Sequence, residues 1–102
     1  MSEFIQRFCI DSTHPSLAGH FPGNPIVPGV VILDHVRTVL MEWRPWCAIR
    51  SLSQAKFLKP LLPGTVFTVK LIQTSSSHIK FECDSADEKL VVGTFTIERM
   101  HE

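Results

Sequence analysis

VVILDHVRTVLMEW, residues 30–43, is the stretch that decides the fold. It contains neither Pro nor Gly, and Leu33, Val36 and Val39 recur at three-residue steps, which predicts a helix. Apolar residues also fall on its remaining faces, so we expect the helix to be buried and not laid on a surface. Arg44-Pro45 should end it, because the residue before a proline avoids the helical conformation.

Segments with the alternation of strands lie on both sides of this helix. Residues 4–10 precede it, and residues 49–58, 65–74, 78–83 and 90–99 follow it. Short turns separate the later segments, which favours antiparallel pairing. One hydrophobic helix and about five antiparallel strands predict an α+β fold, with the sheet wrapped around a central helix.

Composition limits the possible functions. The chain has 102 residues, so we expect one domain, residues 1–102. Ten basic and ten acidic residues cancel, which argues against non-specific nucleic-acid binding. We expect no signal peptide, no membrane span and a cytoplasmic protein. The three cysteines form no CxxC pair, so we expect reduced thiols and no metal site.

The segment that leads into the helix is rich in Pro and Gly. It reads HPSLAGHFPGNPIVPGVVILD, residues 14–34, and its breakers predict an irregular loop up to Pro28. It resembles the signature of bacterial 3-hydroxyacyl-acyl-carrier-protein dehydratases, in which His-Phe-Pro-Gly precedes Pro-Gly-Val and a helix bearing Asp or Glu. That carboxylate follows the histidine by fourteen residues, the separation of His20 and Asp34 here. A second stretch, KFLKPLLPG at 56–64, is similar to the strand and turn that follow the helix in that family.

The resemblance implies that the chain has a hotdog fold and is a short bacterial member of the family. It implies dehydration of a 3-hydroxyacyl thioester to the trans-2-enoyl product, in fatty acid or polyene biosynthesis. The reaction removes an α-proton, protonates the departing hydroxyl and places negative charge on the thioester oxygen. An imidazole suits the first task, a carboxyl group the second, and N–H groups at a helix N-terminus the third.

By resemblance, His20 is the catalytic base, Asp34 the acid partner and the Gly29 N–H an oxyanion donor. Gly29 has no side chain, so a thioester carbonyl has room to approach its N–H. The resemblance further implies a cis peptide bond between His20 and Phe21, and a site shared by two subunits. The implied substrate-binding residues are Phe21, Ile26, Val30 and Thr38, with the Ile26 carbonyl orienting the His20 ring.

The implied partners are an acyl carrier protein, or coenzyme A, bearing the substrate, and a second copy in a homodimer or higher oligomer. No metal or redox cofactor is expected. The family often has Gln where this chain has Thr38, which bears on the substrate range. Three alternatives stay open: a hotdog thioesterase in which Asp34 activates water, a non-catalytic acyl-carrier-binding subunit, and a structural Asp34 paired with Arg37 or His35. Gly29 is also compatible with a simple turn.

Overall fold

The computed structural model describes residues 2–10 and 26–100, which form a helix and a five-stranded sheet. In chain order the elements are β1 (Glu3–Cys9), α1 (Gly29–Trp43), β2 (Cys47–Phe57), β3 (Val66–Ser75), β4 (His78–Ser85) and β5 (Glu88–Arg99). These bounds agree with the predicted helix and strands to within a few residues. The helix ends where predicted, and the Arg44 N–H donates to the Leu40 carbonyl at 2.8 Å.

The sheet is antiparallel throughout, in the order β1-β3-β4-β5-β2. Strands β3, β4 and β5 are neighbours both in sequence and in space, whereas β1 and β2 add to opposite edges. The β2–β5, β3–β4 and β4–β5 ladders each contain a register shift, and such bulges bend and twist a sheet. In β2 the irregularity includes Gln54, whose φ of 56° is left-handed. The predicted α+β architecture is confirmed.

The helix lies against one face of this sheet. The ring of Phe4 stacks on Trp43 at a centroid distance of 6.0 Å, and Phe8 contacts His35 at 4.7 Å. Alternate residues of the strands point their side chains into the core, and α1 adds the apolar side chains of one helix face. The buried helix residues are Ile32, Val36, Val39 and Leu40. The buried residues of β3, β4 and β5 include Phe67, Val69, Leu71, Ile79, Phe81, Cys83, Val91, Phe95 and Ile97.

Burial of the helix is one-sided, unlike the expectation from its composition. Val30 is 72% exposed, and Asp34, Arg37 and Thr38 are exposed as well. Five strands cover only the side of the helix that faces them, so the opposite side of a lone protomer stays open. The apolar character of the exposed side therefore has no partner within the described part of the protomer.

Strand β2 forms one edge of the sheet, and most of it is uncovered. Residues 51–60 are all exposed, including the large apolar side chains of Leu52, Phe57 and Leu58. An edge strand also presents backbone N–H and C=O groups that lack a neighbour on one side. In the part of the chain that the structure describes, exposed apolar side chains and the backbone groups of a sheet edge thus occur together along β2 and at the residue after it.

Candidate active site

A groove of about 650 Å³ runs between the exposed side of α1 and the strands β2 and β5. Its described lining residues are Val30, Val31, Leu33, Asp34, His35, Arg37, Ile49, Leu52 and Phe95. Asp34 is the one carboxylate in that lining, and most of the other side chains are apolar. The groove therefore combines space for an apolar chain with a single acidic group.

Asp34 lies in the second turn of α1, as predicted. Its Oδ1 accepts a hydrogen bond from Arg37 Nη2 at 3.2 Å, and the two side chains are 65% and 59% exposed. Of the two possible ion-pair partners considered from the sequence, the structure places Arg37 against Asp34. The His35 ring instead packs between Phe8 and Phe67, at centroid distances of 4.7 and 6.1 Å.

At the N-terminus of α1, the first N–H groups have no acceptor among the residues that the structure describes. The Pro28 carbonyl accepts from the N–H groups of Val31 and Ile32, and no side chain of the described residues caps the helix. The first N–H groups of any α-helix, here those of Gly29 and Val30, have no acceptor within the helix. This end of the helix therefore carries partial positive charge suited to a developing oxyanion.

Gly29 has a close neighbour that the sequence did not reveal. A Cβ atom built on it would lie 2.7 Å from both Cε1 and Cζ of Phe57. The Phe57 ring thus packs beside the Gly29 Cα, in the direction in which a side chain would project. Oxyanion donation by the Gly29 N–H stays a prediction, because the ring contact involves the Gly29 Cα and not its N–H.

The Phe57 ring also lines a second cavity, of about 430 Å³. Its lining residues are Ile26, Val27, Gly29, Ile32, Phe57, Leu58, Lys59, Pro60 and Leu61. The Val27 N–H donates to the Leu61 carbonyl at 2.8 Å, which ties the segment before the helix to the turn after β2. The two stretches that resemble the dehydratase signature are therefore in contact.

The predicted site residues fall into separate groups. Val30 and Asp34 line the groove, whereas Ile26 and Gly29 line the second cavity. The Thr38 hydroxyl donates to the Asp34 main-chain carbonyl at 2.9 Å, and Thr38 is not part of the groove lining. His20, Phe21 and the peptide bond between them lie outside the described residues.

Sequence reasoning missed several contributors to these cavities. Phe57 lies in the second signature-like stretch, but only the fold brings its ring to Gly29. Leu52 and Phe95 are paired across β2 and β5, and both line the groove. Alternation identified them as strand residues without indicating which face would meet the helix.

The buried thiols do not add a nucleophile to the site. Burial, with a smaller contribution from the charge of Asp84, raises the pKa of Cys83 to about 12. Burial also raises the pKa of Cys47 above its ordinary value of 9.0. Both are free thiols, as is the exposed Cys9.

Residues 2–10 and 26–100 contain no cluster of three metal-ligating His, Cys, Asp or Glu side chains. Within these same ranges, no helix has the length and apolarity needed to cross a bilayer.

Comparisons with known proteins agree with the geometry. Residues 1–94 match the ApeI-like family, described as ApeI dehydratase. The 3-hydroxyacyl-acyl-carrier-protein dehydratase FabZ of Ehrlichia chaffeensis is 34% identical over 94 residues, which cover 84% of this chain and 66% of the relative. The FabZ of Caulobacter vibrioides is 33% identical over 86 residues, covering 72% of this chain and 54% of the relative. The chain thus spans about two thirds or less of the length of these relatives.

Solved structures give the same fold. The dehydratase heterocomplex ApeI:P from Xenorhabdus doucetiae matches with a TM-score of 0.85 and 27% identity, over 95% of this chain and 88% of that one. An acyl-CoA hydrolase from Staphylococcus aureus matches at a TM-score of 0.78 over 98% of this chain and 65% of its own. Its 11% identity supports the fold alone. The hotdog prediction is confirmed, and the chain belongs to the ApeI-like dehydratase family.

Proposed function

We propose that this protein eliminates water from 3-hydroxyacyl thioesters to give trans-2-enoyl thioesters, in a site that two protomers share. His20 of one protomer removes the α-proton, and Asp34 of the other either protonates the departing hydroxyl or holds it by a hydrogen bond while the imidazolium formed at His20 returns the proton. In both cases the C–O bond breaks, the C=C bond forms and water leaves. N–H groups at the start of α1 bind the thioester oxygen. The observation that carries the proposal is Asp34. It is the one carboxylate among the described residues that line a mainly apolar groove, and it lies one turn from the helix N-terminus, where the first N–H groups have no acceptor within the helix.

Chemistry supports these assignments. Dehydration needs an acid or hydrogen-bonding group at the hydroxyl and an anion-binding site at the carbonyl, within the length of a short thioester. Both lie on the first two turns of α1, which a rise of about 1.5 Å per residue places within about 8 Å of each other. The remaining groove lining is apolar and suits an acyl chain. His20, fourteen residues before Asp34 in the sequence, completes the family's pattern.

A second protomer fits the open surface of α1 and β2. The exposed apolar side chains Val30, Leu52, Phe57 and Leu58 have exposures of 72, 40, 53 and 52%. An unpaired edge strand can extend its sheet into that of a second copy. Such pairing would cover these side chains, and exposed apolar surface of this kind commonly marks an interface. The related ApeI:P assembly is itself a complex of different chains, so a different hotdog partner is the rival occupant.

The carrier of the acyl group is proposed from the relatives. The curated FabZ enzymes act, by name, on acyl-carrier-protein thioesters. We propose the same carrier here, with a coenzyme A thioester as the alternative, in the cytoplasm. The acyl-CoA hydrolase neighbour shares the fold only, so it gives no support to hydrolysis in this chain.

Product analysis with purified protein tests the reaction. A panel of 3-hydroxyacyl thioesters, on carrier protein and on coenzyme A, is incubated with the enzyme. Enoyl absorbance without release of free thiol supports dehydration, whereas free thiol identifies a thioesterase. Absence of both products across the panel would favour the non-catalytic alternative.

Asp34→Asn should lower turnover about 100-fold or more, the scale of one acid–base group. Glu42→Gln, an exposed acid on the same helix outside the groove lining, is the matched control.

Subunit mixing tests the shared site. Homodimers of His20→Ala and of Asp34→Ala should each be inactive, because every site lacks one group. A mixed dimer has one site without either group and one complete site, since a two-fold interface exchanges them. Random exchange gives half mixed dimers, so activity should return to roughly a quarter of wild type. Continued inactivity after verified exchange would place both groups in one protomer.

A further inference from the structure

Arg37 is the one permanently charged cation among the described residues that line the groove. It lies three residues after Asp34, so both side chains project from the same side of α1. The Asp34–Arg37 pair is the only ion pair in an otherwise mainly apolar lining, as far as the described residues define it. An arginine in such a lining is costly to cover unless it retains its acidic partner.

The hydrogen bonds around Asp34 are asymmetric. Oδ1 accepts from Arg37 Nη2 at 3.2 Å, and among the described residues no donor reaches Oδ2. The Thr38 hydroxyl binds the Asp34 main-chain carbonyl at 2.9 Å and not the carboxylate. Arg37 therefore restricts one oxygen of the carboxylate and leaves the other available to a ligand in the groove.

We propose that Arg37 is a positioning residue that fixes the Asp34 carboxylate for the 3-hydroxyl group of the substrate. This inference rests on the proposed dehydratase function. In water an exposed pair of this kind fixes little, because solvent screens it and both side chains move. An acyl chain and a second subunit would exclude that water, which strengthens the attraction and the charge-assisted hydrogen bond. Arg37 thus acts through Asp34 and most strongly when the groove is occupied.

Steady-state kinetics of Arg37→Gln and Arg37→Lys test the role. Loss of one charge-assisted hydrogen bond at the reacting group should lower kcat about tenfold and change KM less than about twofold. Lysine keeps the charge and should recover part of the lost kcat. The matched control is Lys70→Gln, because Lys70 pairs with Glu3 at 3.8 Å across β3 and β1, on the side of the sheet opposite β2 and outside the groove. It should leave both kinetic constants unchanged.

A double-mutant cycle separates positioning from a general structural effect. If Arg37 acts only through the Asp34 carboxylate, Arg37→Gln should have almost no further effect on kcat in an Asp34→Asn background. Equal losses in both backgrounds would overturn the proposal, as would an Arg37→Gln enzyme with the kinetics of Lys70→Gln. An inactive wild type would instead refute the dehydratase function on which the inference depends. Thermal unfolding of each variant verifies that the comparison is between folded proteins.

Discussion

Gly93→Ala should strain the core, because the space for a side chain at this position is already taken. Gly93 is paired with Phe81 across β4 and β5. A Cβ on Gly93 would lie 2.5 Å from Cζ and 2.6 Å from Cε1 of Phe81, and 3.3 Å from the Cα of Ala55. Carbon atoms in contact prefer about 3.5–4.0 Å, so the ring or the backbone must move by about 1 Å.

Neither movement is easy. Phe81 is fully buried and packs on Phe95 at a centroid distance of 5.0 Å, and Ala55 follows the left-handed Gln54 in the β2 bulge. Overpacking of this kind costs about 1–3 kcal/mol. Alanine regains about 0.5–1 kcal/mol of backbone entropy relative to glycine. We therefore expect a net loss of about 1–2 kcal/mol in the free energy of unfolding, measured by urea denaturation.

Two further variants identify the cause. In a Phe81→Leu background the added methyl group has more room, so the cost of Gly93→Ala should shrink by about 1 kcal/mol or more. Gly64→Ala is the control, because nothing lies within 4 Å of its added Cβ while its φ of 80° strains any side chain. Its cost of about 1–2 kcal/mol should be the same in the wild-type and the Phe81→Leu backgrounds, because the two sites do not touch. A Gly93→Ala protein as stable as wild type, or strict additivity with Phe81→Leu, would refute the packing argument.

Two other predictions concern titratable groups. A thiol reagent should label Cys9 rapidly in the native protein, but Cys47 and Cys83 only after denaturation, because these two thiols are buried and have raised pKa values. Rapid labelling of all three thiols in the native protein would contradict this prediction. Burial of Glu82 would raise the pKa of its carboxyl group, but hydrogen bonds and charges from Lys89 and Lys80 outweigh it and bring the pKa below 4.5. This lowered pKa stabilises the fold above about pH 4.5, and the stabilisation is lost as the pH falls through the folded-state pKa. Wild type and Glu82→Gln should thus differ in urea midpoint at pH 7 and converge as the pH falls below the folded-state pKa of Glu82. A difference independent of pH would exclude the ion pairs as its source.

Local sequence signals predict the elements of this fold well because each signal has a local cause. Pro28 and Pro45 flank the helix, and no breaker lies between Val30 and Trp43. Alternation and short turns similarly identify β3, β4 and β5. The pairing of β1 with β3 and of β2 with β5 depends on contacts distant in sequence, which no turn specifies. The sequence accordingly predicts an antiparallel sheet but not its strand order.

For the site, too, the sequence predicts contacts between neighbouring residues but not contacts between residues that are distant in sequence. The three-residue separation of Asp34 and Arg37 suffices to suggest their ion pair, because helix geometry fixes which side chains are neighbours. The contact of Phe57 with Gly29 joins residues 28 positions apart and follows a bulge at Gln54 that no composition signal indicates. That contact adds the packing of a ring at the Gly29 Cα to the predicted oxyanion role of its N–H, which stays a prediction.

The one-sided burial of α1 links assembly to chemistry under the proposed arrangement. In a single protomer, Asp34 and Arg37 face water, which weakens their attraction and supplies competing hydrogen bonds. The same open side carries Val30, and the adjoining edge strand carries Leu52. A second protomer that buries these apolar side chains would gain stability from roughly 25 cal/mol per Å² removed from water. It would also lower the effective dielectric around Asp34, so the interaction that holds the subunits together would strengthen the electrostatics on which the elimination depends.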